Sequence, residues 1–174
     1  MVCQRLRPPW VGIGCAIRRL AQCAGSMSDC DEIIKMRLTR YTDYALRAVL
    51  FLGTRPGKLC SIAEMARAYN ISQNHLMKVV NDLVNAGYLQ SVRGRAGGIR
   101  LARLPCEINV GALVRHTEDN FDLADCNTCI IGPRCGLTCI LDEAVNSFMS
   151  VLDQCTLQDV LDRHGDFTHL LKVS

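Results

Sequence analysis

Apolar positions recur with helical spacing from Thr39 onward: Tyr41, Ala45, Leu46, Val49, Leu50 and Leu52 predict an amphipathic helix that ends at Gly53. Residues 54–60 read as a polar Pro-Gly turn. Ser61 then caps a short second helix with Ile62, Met65 and Ala66 facing inward. Ser72 reads as the next cap, opening a third helix with Leu76, Val79, Val80, Leu83 and Val84 on its buried side. Two short helices joined by a tight turn form a helix-turn-helix. After Ala86-Gly87, residues 88–92 and 99–101 read as two strands around the turn Gly94-Arg95-Ala96-Gly97-Gly98, a hairpin that forms a wing.

Beyond the wing, residues 109–118 predict a short helix, 119–138 a cysteine-rich loop, and 140–152 a longer helix with Leu141, Val145, Phe148, Met149 and Leu152 as its apolar positions. So much apolar surface outside the wing predicts a dimerisation arm. The stretch from Thr156 predicts one more helical turn without an assigned role. The expected fold is mainly α with a small β-hairpin: a winged helix-turn-helix domain at 36–104, a linker helix and cysteine loop at 105–138, and a dimerisation helix and tail at 139–174. Residues 1–35 carry Pro8-Pro9, scattered Cys and Arg and no sustained period. They read as a disordered arm, or as an extension preceding a true start at Met36.

Composition narrows the class. A chain of 174 residues holds one core plus appendages, which disfavours a multidomain enzyme. No segment approaches the roughly 20 apolar residues of a membrane span. A net charge of +3 does not by itself define a nucleic-acid partner, so the placement of Lys and Arg decides. Eleven cysteines, an odd number, without a cleavable apolar signal, point to a reducing cytoplasm rather than a disulfide scaffold. Leu20-Ala21-Gln22-Cys23 faintly matches a lipoprotein processing site, but the apolar stretch before it is short and interrupted by glycine.

The first turns of the third helix present Ser72, Gln73, Asn74 and His75, with Lys78 one turn on. Amides pair bidentately with adenine, and Lys contacts guanine or phosphate. An ordinary solvated helix face explains these residues equally well. The wing shifts the balance: Arg93, Arg95 and Arg100 flank a Gly-rich turn that admits close approach to phosphates or the minor groove. Double-stranded operator DNA is therefore the expected partner. Tyr41 and Arg47 are candidates for backbone contacts, with Tyr41 equally suited to the core.

Cys126, Cys129, Cys135 and Cys139 follow C-x2-C-x5-C-x3-C within 14 residues, beside Gly132, Pro133 and Gly136. Thiolates are soft ligands for iron–sulfur clusters and zinc, and three closely spaced thiolates with one open position suit a cluster, [2Fe-2S] or [4Fe-4S]. Zinc and metal-free thiol chemistry are the alternatives. Cys139 is either a fourth ligand or a residue facing a dimer partner. The isolated Cys60, Cys106 and Cys155 read as small hydrophobes. No catalytic triad, paired carboxylates or phosphate loop emerges, and His75, His116, His164 and His169 lack partners at useful spacing, so no enzyme is expected.

The stretches MRLTRYTDYALRAVLFL from Met36, ISQNHLMKVVNDLVNAGYLQSVRGRAGGIRLA from Ile71, CNTCIIGPRCGL from Cys126 and SFMSVLDQCTLQDVL resemble the Rrf-type winged-helix iron–sulfur transcription regulators. Within them, the similarity points to the nitric-oxide-sensitive repressors. The resemblance covers residues 36 to 162 and implies a homodimer whose cluster is held by Cys126, Cys129 and Cys135. It also implies a candidate fourth ligand at Asp43 of the partner subunit, and nitric oxide as the signal. The first two loop cysteines are closer here, with two residues between them, than in the regulators it resembles. An iron-supply or cluster-assembly regulator of the same fold is the nearest alternative. A ferredoxin-type redox protein, suggested by the cysteines alone, leaves the helix-turn-helix and the arginine wing without a role.

Overall fold

The computed structural model describes residues 37–125, 128–131 and 135–163. The expected arm at 1–35, Cys126, His164 and His169 lie outside the described residues. Helix α1 (Arg40–Gly53) starts where the Thr39 hydroxyl accepts from the Thr42 amide. Its inward face buries Ala45, Ala48, Val49, Phe51 and Leu52. Helix α2 (Ile62–Tyr69) opens with a reciprocal capping box, in which the Ser61 hydroxyl accepts from the Glu64 amide and the Glu64 carboxylate from the Ser61 amide. It ends at Asn70, whose left-handed backbone (φ 51°) an Asn tolerates and which closes the turn into α3 (Gln73–Asn85). Ser72 holds the N-cap position of α3, but its side chain makes no capping bond. The helix is fixed instead by burial of Leu76, Val79, Val80 and Leu83.

Strands β1 (Leu89–Val92) and β2 (Gly98–Leu101) pair antiparallel, with Gln90 opposite Arg100 and Val92 opposite Gly98. Gly94 takes φ +116°, a conformation that favours glycine. A Cβ at Gly97 would strike the Val92 carbonyl. The hairpin is pinned to the segment before α2 by two backbone bonds, Cys60 N to Ile99 O at 3.0 Å and Ile99 N to Cys60 O at 2.8 Å. The wing is therefore a fixed extension of the core, with Cys60 buried beneath it.

A single 3-10 turn (Pro105–Glu107) leads to α4 (Val110–Thr117), capped by Asn109. Helix α5 (Leu137–Asp153) begins three residues earlier than the apolar period indicated, with Gly136 at its N-cap, so Cys139 sits in its first turn rather than at the loop boundary. Val110, Val114 and Met149 form a second small core with Val145, Phe148 and Leu152 around it. The tail forms α6 (Leu157–Arg163), which returns to the winged helix. Leu157 is buried in the main core, Leu161 packs against it, and both lie over Gly53 of α1.

Candidate nucleic-acid interface and cysteine loop

Because α3 buries one side in the core, its other side is presented outward by the same packing. Ser72, Gln73, Asn74, His75 and Lys78 are all exposed. The helical period also places Met77 and Asn81 on this outer side, both exposed, two positions the sequence motif did not single out. Arg93, Arg95 and Arg100 are exposed on the wing, and Arg100 Nε donates to Gln90 Oε1 at 3.0 Å across the strands. That bond holds the guanidinium across the strand pair through Nε and leaves its remaining N–H groups available for phosphate oxygens.

The far end of α3 is anchored. The Asp82 carboxylate accepts from His116 Nε2 of α4 at 3.0 Å and from the Tyr41 hydroxyl of α1. A histidine with no partner at useful spacing in the sequence thus finds one 34 residues away. The Tyr41 hydroxyl is pushed up to about 12, first by burial, then by its bond to Asp82 and by the charges of Asp82 and Asp119. His116 also packs on Tyr88 at 5.9 Å between ring centroids, and the Arg103 guanidinium lies over the Tyr88 ring, 5.3 Å from its centroid. Just beyond α4, Glu118 accepts from the Thr39 amide at 2.7 Å, which ties the start of the loop to the start of α1.

The loop that follows contains the cysteines. Asp125 accepts from the Thr128 amide and hydroxyl, at 3.3 and 2.9 Å, just ahead of Cys129. Cys129 is exposed, Cys135 half-buried and Cys139 exposed, and all three are free thiols. Cys135 immediately precedes the N-terminal end of α5, where the helix dipole favours negative charge. Among the described residues, no group of three or more His, Cys, Asp or Glu side chains is gathered closely enough to hold a metal ion, and Cys126 lies outside them. The donor chemistry, soft thiolates on a short loop, fits an iron–sulfur cluster with a ligand added from elsewhere. Asp43 is on α1, where both its oxygens are engaged by Arg47, at 2.9 and 2.8 Å. The Arg47 guanidinium also lies 5.7 Å from the Tyr69 ring centroid.

A helix-turn-helix with amides on its outer face, followed by a pinned hairpin with three exposed arginines, defines a winged-helix DNA-binding transcription regulator. The chain belongs to the Rrf2 family, described as iron-dependent transcriptional regulators, whose profile matches residues 38–163. It is 47% identical over 144 residues to the HTH-type transcriptional regulator NsrR of Bacillus subtilis, across 79% of this chain and 99% of that protein. Among solved structures, the IscR of T. potens matches with a TM-score of 0.61 and 25% identity, over 78% of this chain and 97% of that one. The global cysteine regulator CymR of B. subtilis matches with a TM-score of 0.57 and 26% identity, over 72% and 95%. The family comprises regulators, not enzymes. Among the described residues, no helix is long and apolar enough to cross a membrane.

Proposed function

We propose that the protein is a homodimeric, cytoplasmic repressor that senses nitric oxide through an iron–sulfur cluster and derepresses nitrosative-stress genes. The winged helix at 36–104 reads the operator, the segment 105–138 carries the cluster ligands Cys126, Cys129 and Cys135, and 139–174 supplies the dimer helix. The observation that carries this reading is the position of the thiols: Cys129 and Cys135 lie between the end of α4, bonded to the recognition helix through His116, and the start of α5. On the outer side of α5, Leu137, Ile140 and Val151 remain exposed, at a spacing that suits a two-helix seam. The similarity to proteins named NsrR favours nitric oxide as the signal.

A cluster held by Cys126, Cys129 and Cys135 would supply iron, a centre with affinity for nitric oxide. The chain's own part is mechanical. The loop starts just past His116 and Glu118, so a shift of the loop is passed to Asp82 on α3 and Thr39 before α1. A small tilt suffices, because each bidentate base contact discriminates by about 1–3 kcal/mol. A reading as an iron-supply or cluster-assembly regulator is favoured by the family's description as iron-dependent.

Anaerobic purification with a visible spectrum, followed by nitric oxide titration while DNA binding is monitored, tests the proposal. A brown protein that bleaches and releases DNA supports it. Release on iron depletion but not with nitric oxide supports the second reading. A colourless protein that binds DNA after attempted reconstitution makes this a thiol or zinc regulator.

A further inference from the structure

The outer face of α3 carries one side chain that solvation does not explain. With roughly 100° between successive residues, Gln73, Met77, Asn81, Asn74 and Lys78 share one arc, opposite the buried Leu76, Val79, Val80 and Leu83. Four of the five are amides or a cation, while Met77 is 44% exposed. No other large apolar side chain among the described residues of α2, α3 and the hairpin is as exposed. A thioether in the middle of a polar face gains nothing from water. In the major groove it meets the one apolar group that base edges carry, the C5 methyl of thymine.

The neighbouring chemistry agrees. Gln73 and Asn74 lie about one turn before Met77, and amides pair with N6 and N7 of adenine, whose complement is thymine. Methionine is unbranched and polarizable, so it follows a methyl group without demanding one rotamer. We propose that Met77 is a specificity-determining residue that packs on a thymine methyl. Each half-site then carries A·T pairs beneath the first two turns of α3, with an amide on adenine and Met77 on the methyl of that pair or the adjoining one.

Wild-type protein selects its preferred duplex from a randomised library. That duplex is then resynthesised with each thymine in turn replaced by deoxyuridine, which removes only the methyl. The expected result is a weakening of about fourfold at one thymine per half-site, the worth of one buried methyl-sized group. Met77→Ala and Met77→Gln bind more weakly and no longer distinguish thymine from deoxyuridine there. Indifference of the wild type to every replacement overturns the proposal, as does full methyl discrimination by both variants. Circular dichroism of the variants matching wild type confirms that the weakening reflects the missing thioether and not a folding defect.

Discussion

His116 and Asp82 meet with Nε2 3.0 Å from Oδ2, and the same carboxylate accepts from the Tyr41 hydroxyl, so α4, α3 and α1 converge on one acidic side chain. A carboxylate only accepts, so both partners must donate. The Tyr41 proton is held more tightly in the folded protein, where it leaves at about 12, than in the unfolded chain, where it leaves at 10.0. The stabilisation is therefore complete below 10.0 and is lost as pH rises from there toward 12. Denaturant midpoints measured across this window should fall in the wild type and fall less in Tyr41→Phe. In Asp82→Asn, tyrosinate absorbance should show one tyrosine titrating closer to its ordinary value.

A second tie joins α4 to α5. Arg115 donates to both oxygens of Asp153, at 2.5 and 2.6 Å, and this bond lowers the Asp153 carboxyl below its usual value. The contribution is present above the ordinary value of 3.8 and is lost as pH falls below it through the depressed folded value. Asp153→Asn should remove that acid-side dependence from urea unfolding. Gly111 stands against the same residue, and a Cβ there would collide with the Asp153 carboxylate and approach its backbone nitrogen to 2.9 Å. Gly111→Ala should destabilise by about 1–3 kcal/mol, because the two helices must separate to admit it.

Leu157 tests the place of α6. It is 2% exposed in the same core as Leu83 and Phe51. Leu157→Ala should cost about 2–5 kcal/mol and lower one cooperative unfolding transition. An unchanged transition temperature would instead mark α6 as detachable from the winged helix.

This return of α6 was not legible in the sequence, whereas α1, α2, α3 and the wing were. Each of those elements carries its own period and punctuation, such as the Ser61 cap and the Gly94 turn. Seven residues of α6 are too few to show a period, and the surface they cover, at Gly53, lies about a hundred positions upstream. The Asp82–His116 pair was hidden for the same reason: each residue alone reads as an ordinary polar position on a helix. Met77 was recoverable, since a helical wheel at about 100° per residue places it between Gln73 and Asn74, on the same arc as Lys78. The Rrf2 assignment rested on longer, ordered stretches, which is why it was legible where single side-chain pairs were not.

The wing and the recognition helix should separate in their salt and sequence dependence. Arg93, Arg95 and Arg100 are exposed on the wing, and on the proposed reading they contact phosphate, so each Arg→Ala change should weaken all duplexes alike. Removing one such arginine from its phosphate should also flatten the slope of log affinity against log salt by about 0.9. Gln73→Ala or Asn74→Ala should leave that slope in place and relax the preference for one base pair, costing about 1–3 kcal/mol on the selected duplex only. Fluorescence anisotropy at several salt concentrations, on selected and scrambled duplexes, distinguishes the two classes.

The identity of a fourth ligand can be decided between Asp43 of the partner subunit and Cys139. Asp43 is paired with Arg47, but both side chains are about two-fifths exposed, at 43% and 39%. An exposed pair of this kind contributes about 0–1 kcal/mol, so releasing the carboxylate to a metal costs little. Cys139 is fixed in the first turn of α5 and exposed, positioned for a facing helix as readily as for the loop. Cys126→Ser, Cys129→Ser and Cys135→Ser should each purify colourless under anaerobic conditions. Asp43→Asn should keep iron but shift the visible spectrum and release the cluster faster to a chelator. Cys139→Ser should match the wild type in both respects, and a spectral shift in Cys139→Ser with none in Asp43→Asn would move the fourth ligand into the loop's own chain.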